Sequence, residues 1–314
     1  MLNDLFGDFI GQKHLKAQLN FLLDSHRKNK IFNPSLIVGK RGDGKSKLAR
    51  TIGQNILNND NTEPRRFIEI NSSSVTNITG FVDEIVIPHL SGNAEVTLFC
   101  DEISAMDSKV KDWLLSVLQP NANNQTFAHH AGIRHDFSFK HFSFIAATTD
   151  PQALSEPFKS RLRRLEFEPY SLSDLRGILY KQFEKNIFKD DVDKEIVTTV
   201  RGSPRNVVML AGDILKYLSR NNKSSFGRAD WQEFVEIFDI LPMGLTQNEL
   251  MLLRYLVDAP LSLTGIAARF NLRPSMVRAE IELFPLSQNL ITIDQKRKLT
   301  QKGRKLLQVV GDKN

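Results

Sequence analysis

Three short apolar runs in the first half of the chain each give way at once to polar residues. Leu36-Ile37-Val38 leads into Gly39-Lys40-Arg41-Gly42-Asp43-Gly44-Lys45-Ser46, Val96-Thr97-Leu98-Phe99-Cys100 ends at Asp101-Glu102, and Phe142-Ser143-Phe144-Ile145-Ala146-Ala147 ends at Thr148-Thr149-Asp150. Runs of this length, bounded in this way, read as buried strands, and the first is followed by a helical pattern through Ile56. In an open parallel sheet, ligands collect beyond the carboxyl ends of the strands, so the three polar termini are expected to converge on one site.

Residues 171–241 show helical spacing without a strand signal, with apolar positions at Leu172, Leu175, Ile178 and Leu179 and then at Val207, Leu210 and Ile214. From Gly244 the pattern gives helices at 246–257 and 262–269 and a third beginning at Pro274, whose fixed φ suits a first helical turn. Leu290-Ile291-Thr292-Ile293, a basic turn and Arg297-Lys298-Leu299-Thr300 follow, so the tail reads as a winged helix-turn-helix. The expected architecture is an α/β nucleotide-binding domain with a parallel sheet over 1–168, a small helical domain over 169–240 and a winged helix over 241–314. No internal repeat is evident.

A length of 314 residues, at roughly 150 per domain, allows two domains with room for a third. With 41% hydrophobic and 25% charged residues, 17 Gly and 12 Pro, the chain is neither collagen-like nor disordered. No apolar stretch approaches the roughly 18 residues of a spanning helix, and Asp4 and Asp8 stand where a signal peptide would be basic. The single cysteine, Cys100, excludes an internal disulfide and suits a reducing compartment, and its place inside a strand makes it a small buried hydrophobe. A soluble, cytoplasmic protein is expected. Of the net charge of +6, five units lie in residues 241–314.

Gly39 to Ser46 fits G-x-x-x-x-G-K-[ST] without a mismatch. Its glycines let backbone N–H groups face a polyphosphate, Lys45 reaches the β and γ oxygens, and Ser46 holds Mg²⁺; the alternative is a glycine-rich turn between strand and helix. Asp101 ends its apolar strand 56 residues after Lys45, as a carboxylate of the Mg²⁺ shell should, and Glu102 is then positioned to polarise an attacking water. The alternative for this acidic pair is an N-cap on the helix of Lys109 to Leu118. ATP and Mg²⁺ are the expected ligands.

With these residues the chain resembles the AAA+ ATPases and, more narrowly, the RuvB family of Holliday-junction branch-migration motors. The likeness runs through Phe9-Ile10-Gly11-Gln12, the loop 39–46, Asp101-Glu102-Ile103, Ala147-Thr148-Thr149, Ser155-Glu156-Pro157-Phe158-Lys159-Ser160-Arg161, Arg201-Gly202-Ser203-Pro204-Arg205 and the winged tail. It implies that Ile10 contributes to the nucleotide site, that Thr149, with Thr148 beside it, is the polar sensor ordering the water, and that Arg161 is an arginine finger offered to a neighbouring subunit's nucleotide. It makes the 169–240 segment a lid and Arg205 the lid's sensor of the γ-phosphate. Bland alternatives are a solvated cluster of Arg161, Arg163 and Arg164, and a helix-start role for Arg205.

Residues 122–141 stand where the family carries a β-hairpin, and the resemblance implies that Phe127, Ile133, Phe137 and Phe139 face a RuvA-like junction-binding protein. His129, His130, His135 and His141 depart from the family pattern; they are read as polar hairpin positions rather than metal ligands. The phosphate loop also departs, with Lys40-Arg41 for a proline pair, and Arg161 is followed by Leu162.

In the tail, the helix of Arg273 to Ser287 can enter a groove with Arg273 and Arg278, and the wing carries Lys296, Arg297 and Lys298 to phosphates without a base-reading side chain. Sequence-independent binding to duplex or four-way DNA is expected; the alternative is a solvated turn on a protein-contact module. The resemblance as a whole implies a hexamer-like ring that uses ATP hydrolysis to drive branch migration in DNA recombination and repair. The rival readings are an AAA+ loader or replication initiator, and a non-hydrolysing DNA-binding adaptor. The complete set Lys45, Asp101, Glu102, Arg161 and Arg205 argues against the adaptor.

Overall fold

In the computed structural model, which describes residues 5–7, 9–90 and 94–311, the three apolar runs form the middle of one parallel sheet. Asp4 and Asp8, which carried the argument against a signal peptide, lie outside the described residues. The strands are β1 (Ser35–Val38), β2 (Arg66–Asn71), β3 (Val96–Asp101), β4 (Gln125–His130), β5 (Ile133–Ser138), β6 (Phe142–Thr148) and β7 (Arg163–Glu166). The sheet order is β2-β3-β6-β1-β7, and the paired hairpin β4-β5 stands apart.

Every residue of β1 and β6 is buried because helices cover both faces. Alternate side chains then serve opposite cores, as the two-residue period of a strand requires. Leu36, Val38, Leu98, Cys100, Phe144 and Ala146 pack with Val110, Leu114 and Val117 of the helix Ser108–Val117. Ile37, Phe99, Ile145 and Ala147 pack with Leu48 and Ile52 of the helix Lys45–Gly53 and with Leu19 and Leu23 of the helix Lys13–Asn29. Cys100 is fully buried, and burial pushes its thiol pKa far up.

The register puts Val38 beside Thr148 and Cys100 beside Ala146, so the carboxyl ends of β1, β3 and β6 are neighbours, as expected for one site. The helix after β1 ends at Gly53, short of Ile56. Neither β2 nor β7 carries an apolar run: in β2 only Ile70 is buried, and in β7 only Leu165.

The hairpin reverses at Ala131 and Gly132, both with positive φ, the two-residue turn whose twist matches antiparallel strands. Phe127 and Ile133 are 46% and 59% exposed. Phe137 and Phe139 are not partner-facing as expected; both are buried, Phe137 against Trp113 and both against Phe142. The indole Nε1–H of Trp113 donates to the His129 carbonyl at 3.1 Å, tying the hairpin to the helix behind it.

Two compact units make up the chain: 1–178 with 203–206, and 179–202 with 207–314. In the second, Tyr217, Phe226, Trp231 and Phe234 form a ring-on-ring core among the helices Val192–Thr199, Pro204–Arg220 (from Val207 onward) and Arg228–Ile237. Leu172, expected on an apolar face, is 56% exposed at the start of its helix, whereas Leu175 and Leu179 are buried.

The tail begins with the helix Gln247–Tyr255, capped reciprocally by Thr246 and Glu249, and continues with Leu263–Phe270. Residues 274–287 wind through three helical stretches, with a wide turn over Val277–Glu282. β8 (Ile291–Asp294) and β9 (Lys296–Leu299) form an antiparallel pair, and a further helix, Gln301–Gly311, follows. Among the described residues no helix is long and apolar enough to cross a membrane.

Candidate functional site

The segment between β1 and the helix Lys45–Gly53 turns through Gly42 (φ +92°) and Gly44 (φ +102°), conformations that a side chain rarely tolerates. At Gly42 a Cβ would also meet Ser203 Oγ at 2.6 Å, so the loop and the Ser203–Asn206 segment of the same unit approach through glycine. Lys45 Nζ donates to the carbonyls of Gly39 (3.0 Å) and Lys40 (3.1 Å), and Asp43 Oδ2 accepts the Lys40 N–H at 2.6 Å. Burial lowers the pKa of Lys45, opposed by the charges of Glu102, Asp43 and Asp101 and reinforced by that of Arg205. Burial raises that of Asp43.

Ser46, in the first turn of its helix, donates its hydroxyl to Asp101 Oδ2 at 2.7 Å. Asp101 Oδ1 accepts the Glu102 N–H at 3.0 Å, so the carboxylate at the end of β3 is held from both sides. A hydroxyl and a carboxylate side by side are the hard oxygen donors that Mg²⁺ takes, and Ser46 and Asp101 fit that ion. The helix Ser108–Val117 is capped by Asp107, not by Asp101-Glu102, which removes the acidic-cap alternative.

Glu102 leaves the strand in the left-handed region, φ 53° and ψ 53°, a costly backbone for a residue with a side chain. The bend turns its carboxylate toward the end of β6, where Oε1 accepts the Thr149 N–H (3.1 Å) and hydroxyl (2.9 Å), the Ser104 hydroxyl (3.0 Å) and, more distantly, that of Thr148 (3.4 Å). Burial works to raise the pKa of Glu102, but the Thr149 and Ser104 hydrogen bonds and the charge of Lys45 together hold it below the ordinary carboxylate value.

Arg205, at the second residue of the helix Pro204–Arg220, donates its backbone N–H to the Gly42 carbonyl at 3.2 Å. Ile10 packs on Gly177, where a Cβ would meet it at 3.2 Å. The neighbouring Gln12 is buried and clasps the backbone of Glu168, Nε2 to its carbonyl (2.8 Å) and Oε1 to its N–H (2.9 Å). Tyr170 reaches from the same stretch to donate its hydroxyl to the Asp43 carbonyl at 3.0 Å. The structure thus gathers Ile10, Gly39, Gly42, Gly44, Lys45, Ser46, Asp101, Glu102, Thr149 and Arg205 in one unit. Asp43, Ser104 and Tyr170 join them unforeseen, since no local pattern marks their contacts.

Arg161 is elsewhere. It follows the helix Glu156–Ser160 and precedes β7, whose Arg163 pairs with Ser35 at the amino end of β1. The four residues of β1, about 13 Å of strand, separate that level from the loop after Val38. Its guanidinium donates to the Pro157 carbonyl (2.7 Å) and Gln119 Oε1 (2.6 Å), and Nε is buried without a partner. Arg164 is ion-paired with Glu166 at 2.9 Å.

In the tail, Arg273, Arg278, Lys296 and Lys298 are exposed, with Lys298 paired to Asp294 at 3.2 Å. Arg297, expected among the phosphate contacts, is instead 6% exposed: it makes bidentate bonds to buried Glu282 at 2.7 and 2.9 Å. Strand alternation turns Arg297 inward with Leu299 while Lys296 and Lys298 face out. Among the described residues no cluster of His, Cys, Asp and Glu has the makings of a metal site, and His141 lies against Asn59 and Glu95.

A family model described as the Holliday junction DNA helicase RuvB P-loop domain matches residues 2–166. The chain is similar to the Holliday junction branch migration complex subunit RuvB of Mycoplasmopsis synoviae (strain 53), 26% identical over 313 residues, which cover 95% of this chain and 94% of the relative. It is also similar to that of Koribacter versatilis, 24% identical over 274 residues, covering 83% of this chain and 72% of the relative. A solved structure of the Thermotoga maritima RuvB Holliday junction branch migration motor shares its fold, with a TM-score of 0.74 at 20% identity over 98% of this chain and 97% of that one.

Proposed function

The chain belongs to the RuvB family of Holliday junction DNA helicases, and on that premise we propose that it is an ATPase motor that drives branch migration of four-way DNA junctions. The observation that carries the reading is the convergence of Ser46, Asp101, Glu102 and Thr149 at adjacent strand ends beside a complete phosphate loop.

Backbone N–H groups of the loop cradle the polyphosphate, and Lys45 exchanges its carbonyl partners for β and γ oxygens. Thr149 and Glu102 hold the water. As its oxygen attacks the γ-phosphorus, Glu102 takes its proton and the bond to the bridging oxygen breaks, its electron pair leaving with ADP. Lys45 and Arg205 of the same chain and Arg161 of a neighbour neutralise the charge that spreads over the transferring group. Ser46 and Asp101 would hold Mg²⁺, which would offset negative charge on the phosphate oxygens. A finger lying a strand length away from its own loop supports a trans role and a ring of subunits.

The proposed division is a nucleotide domain over 1–168, a lid over 169–240 and a winged helix over 241–314 whose Arg273, Arg278, Lys296 and Lys298 contact DNA phosphates. The exposed Phe127 and Ile133 support the hairpin as the contact for a RuvA-like junction-binding protein. The test is ATPase activity with linear duplex, single strand and a four-way junction, for wild type and Glu102→Gln. Wild type is expected to turn over fastest on the junction, and Glu102→Gln to bind ATP without turning it over. Equal rates for the two proteins would overturn the role of Glu102, and a single ATP consumed per DNA-bound complex would favour a loader.

A further inference from the structure

Among the described residues, the hydrogen bonds to the Glu102 carboxylate all converge on one oxygen. Oε1 receives the Thr149 N–H and hydroxyl and the Ser104 hydroxyl, with the Thr148 hydroxyl at 3.4 Å. Among the described residues no donor reaches Oε2. Of these donors, Thr149 is the group read as the sensor of the nucleotide, so its bonds to Glu102 compete with its engagement of water and γ-phosphate. Ser104 has no such second duty.

The Ser104 hydroxyl is also backed from behind. Thr148 Oγ1, fully buried, lies 3.0 Å from Ser104 Oγ, and it accepts the Asp150 N–H at 3.0 Å, which leaves its own proton to donate. The run Asp150 N–H, Thr148 hydroxyl, Ser104 hydroxyl, Glu102 Oε1 is therefore a directed chain, Thr148 Oγ1 lying nearer to Ser104 Oγ (3.0 Å) than to Glu102 Oε1 (3.4 Å). The turn that carries Ser104 is fixed by the Ala105 N–H on the Glu102 carbonyl (2.9 Å) and by Lys111 Nζ on the Ser104 carbonyl (3.1 Å).

We propose that Ser104 is a positioning residue for Glu102, anchoring Oε1 through the Thr148–Ser104 hydroxyl chain so that Oε2 is the oxygen presented to the attacking water. The inference rests on the reading of Glu102 as the base. Without the anchor the carboxylate rotates about its terminal bond and spends less time with Oε2 toward the water, which lowers turnover but leaves the phosphate loop untouched.

The experiment compares wild type, Ser104→Ala, Ser104→Thr, Thr148→Val and Glu102→Gln by kcat and KM for ATP, by Kd for a non-hydrolysable ATP analogue, and by thermal melting. Ser104→Ala is expected to lower kcat roughly ten-fold, the value of one hydrogen bond to a charged group, with the analogue Kd unchanged and melting no lower than that of Thr148→Val, which breaks the same hydroxyl pair. Ser104→Thr, which keeps the hydroxyl, should recover most of that loss, and Thr148→Val should lower kcat in the same direction by less. A Ser104→Ala kcat within about two-fold of wild type, alongside an inactive Glu102→Gln, would overturn the proposal. So would a kcat loss matched by weaker analogue binding or by melting below that of Thr148→Val, or one that Ser104→Thr fails to recover. Wild-type turnover by Glu102→Gln would instead sink the underlying assignment of Glu102.

Discussion

Arg297→Ala separates folding from DNA contact inside one basic triplet. The Arg297 and Glu282 side chains are 8% and 4% exposed and joined by two bonds of 2.7 and 2.9 Å, so alanine leaves a carboxylate buried beside Val277 and Ile281 without its counter-charge. Breaking a buried pair from one side costs about 3–5 kcal/mol. The paired change Arg297→Met with Glu282→Leu should recover most of that loss, because neither charge then remains uncompensated. Lys296→Ala with Lys298→Ala, both exposed, should each change stability by less than about 0.5 kcal/mol. That double variant should instead flatten the dependence of log affinity on log salt by up to about 1.8, at about 0.9 for each phosphate no longer neutralised. Denaturant unfolding and duplex titrations across a salt series read the two effects independently. An Arg297→Ala protein as stable as wild type, with a salt slope reduced as much as by a lysine change, would refute the buried-pair assignment.

Lys45→Ala and Arg161→Ala should each abolish turnover, the latter by about 10³–10⁵, yet mixing them under subunit exchange should restore ATPase activity at interfaces that pair an intact loop with an intact finger. Mixed rings that form and stay inactive would exclude a trans role for Arg161. His26 is buried with Nε2 on the Leu57 carbonyl and Nδ1 unpartnered, and burial, with Arg65 and Lys30 nearby, lowers its pKa to about 4. The unfolded chain takes that proton near pH 6.5, so the unfolded state binds more protons between about pH 6.5 and 4 and stability falls as pH drops through that window. The loss is about 2 kcal/mol at pH 5, and His26→Gln should remove that part of the slope in denaturant titrations; an unchanged slope would contradict it.

The phosphate site was legible because its parts are contiguous in sequence: a glycine loop after one apolar run and an acidic pair after another. Their convergence follows from parallel neighbouring strands, which the order β3-β6-β1 supplies. β7 was not legible, since a four-residue strand with only Leu165 buried carries no apolar run. At Arg297 and at Phe137 and Phe139 the signal was present but outweighed by residue type. A period of two sets Arg297 on the face of Leu299 and tertiary packing turns that pair inward, as it does Phe137 and Phe139 against Phe142. The contact of Ser104 with Glu102 depends on a left-handed backbone at Glu102, which no residue pattern announces.

Hydrolysis at this site should move a DNA junction. The most direct test is migration of a synthetic four-way junction with homologous arms, in the presence of a RuvA protein, comparing wild type with ATP, wild type with a non-hydrolysable analogue, and Glu102→Gln with ATP. Sustained migration should occur with wild type and ATP alone. No ATP-dependent migration by a wild-type protein that binds the junction and hydrolyses ATP, or equal migration in all three reactions, would contradict it.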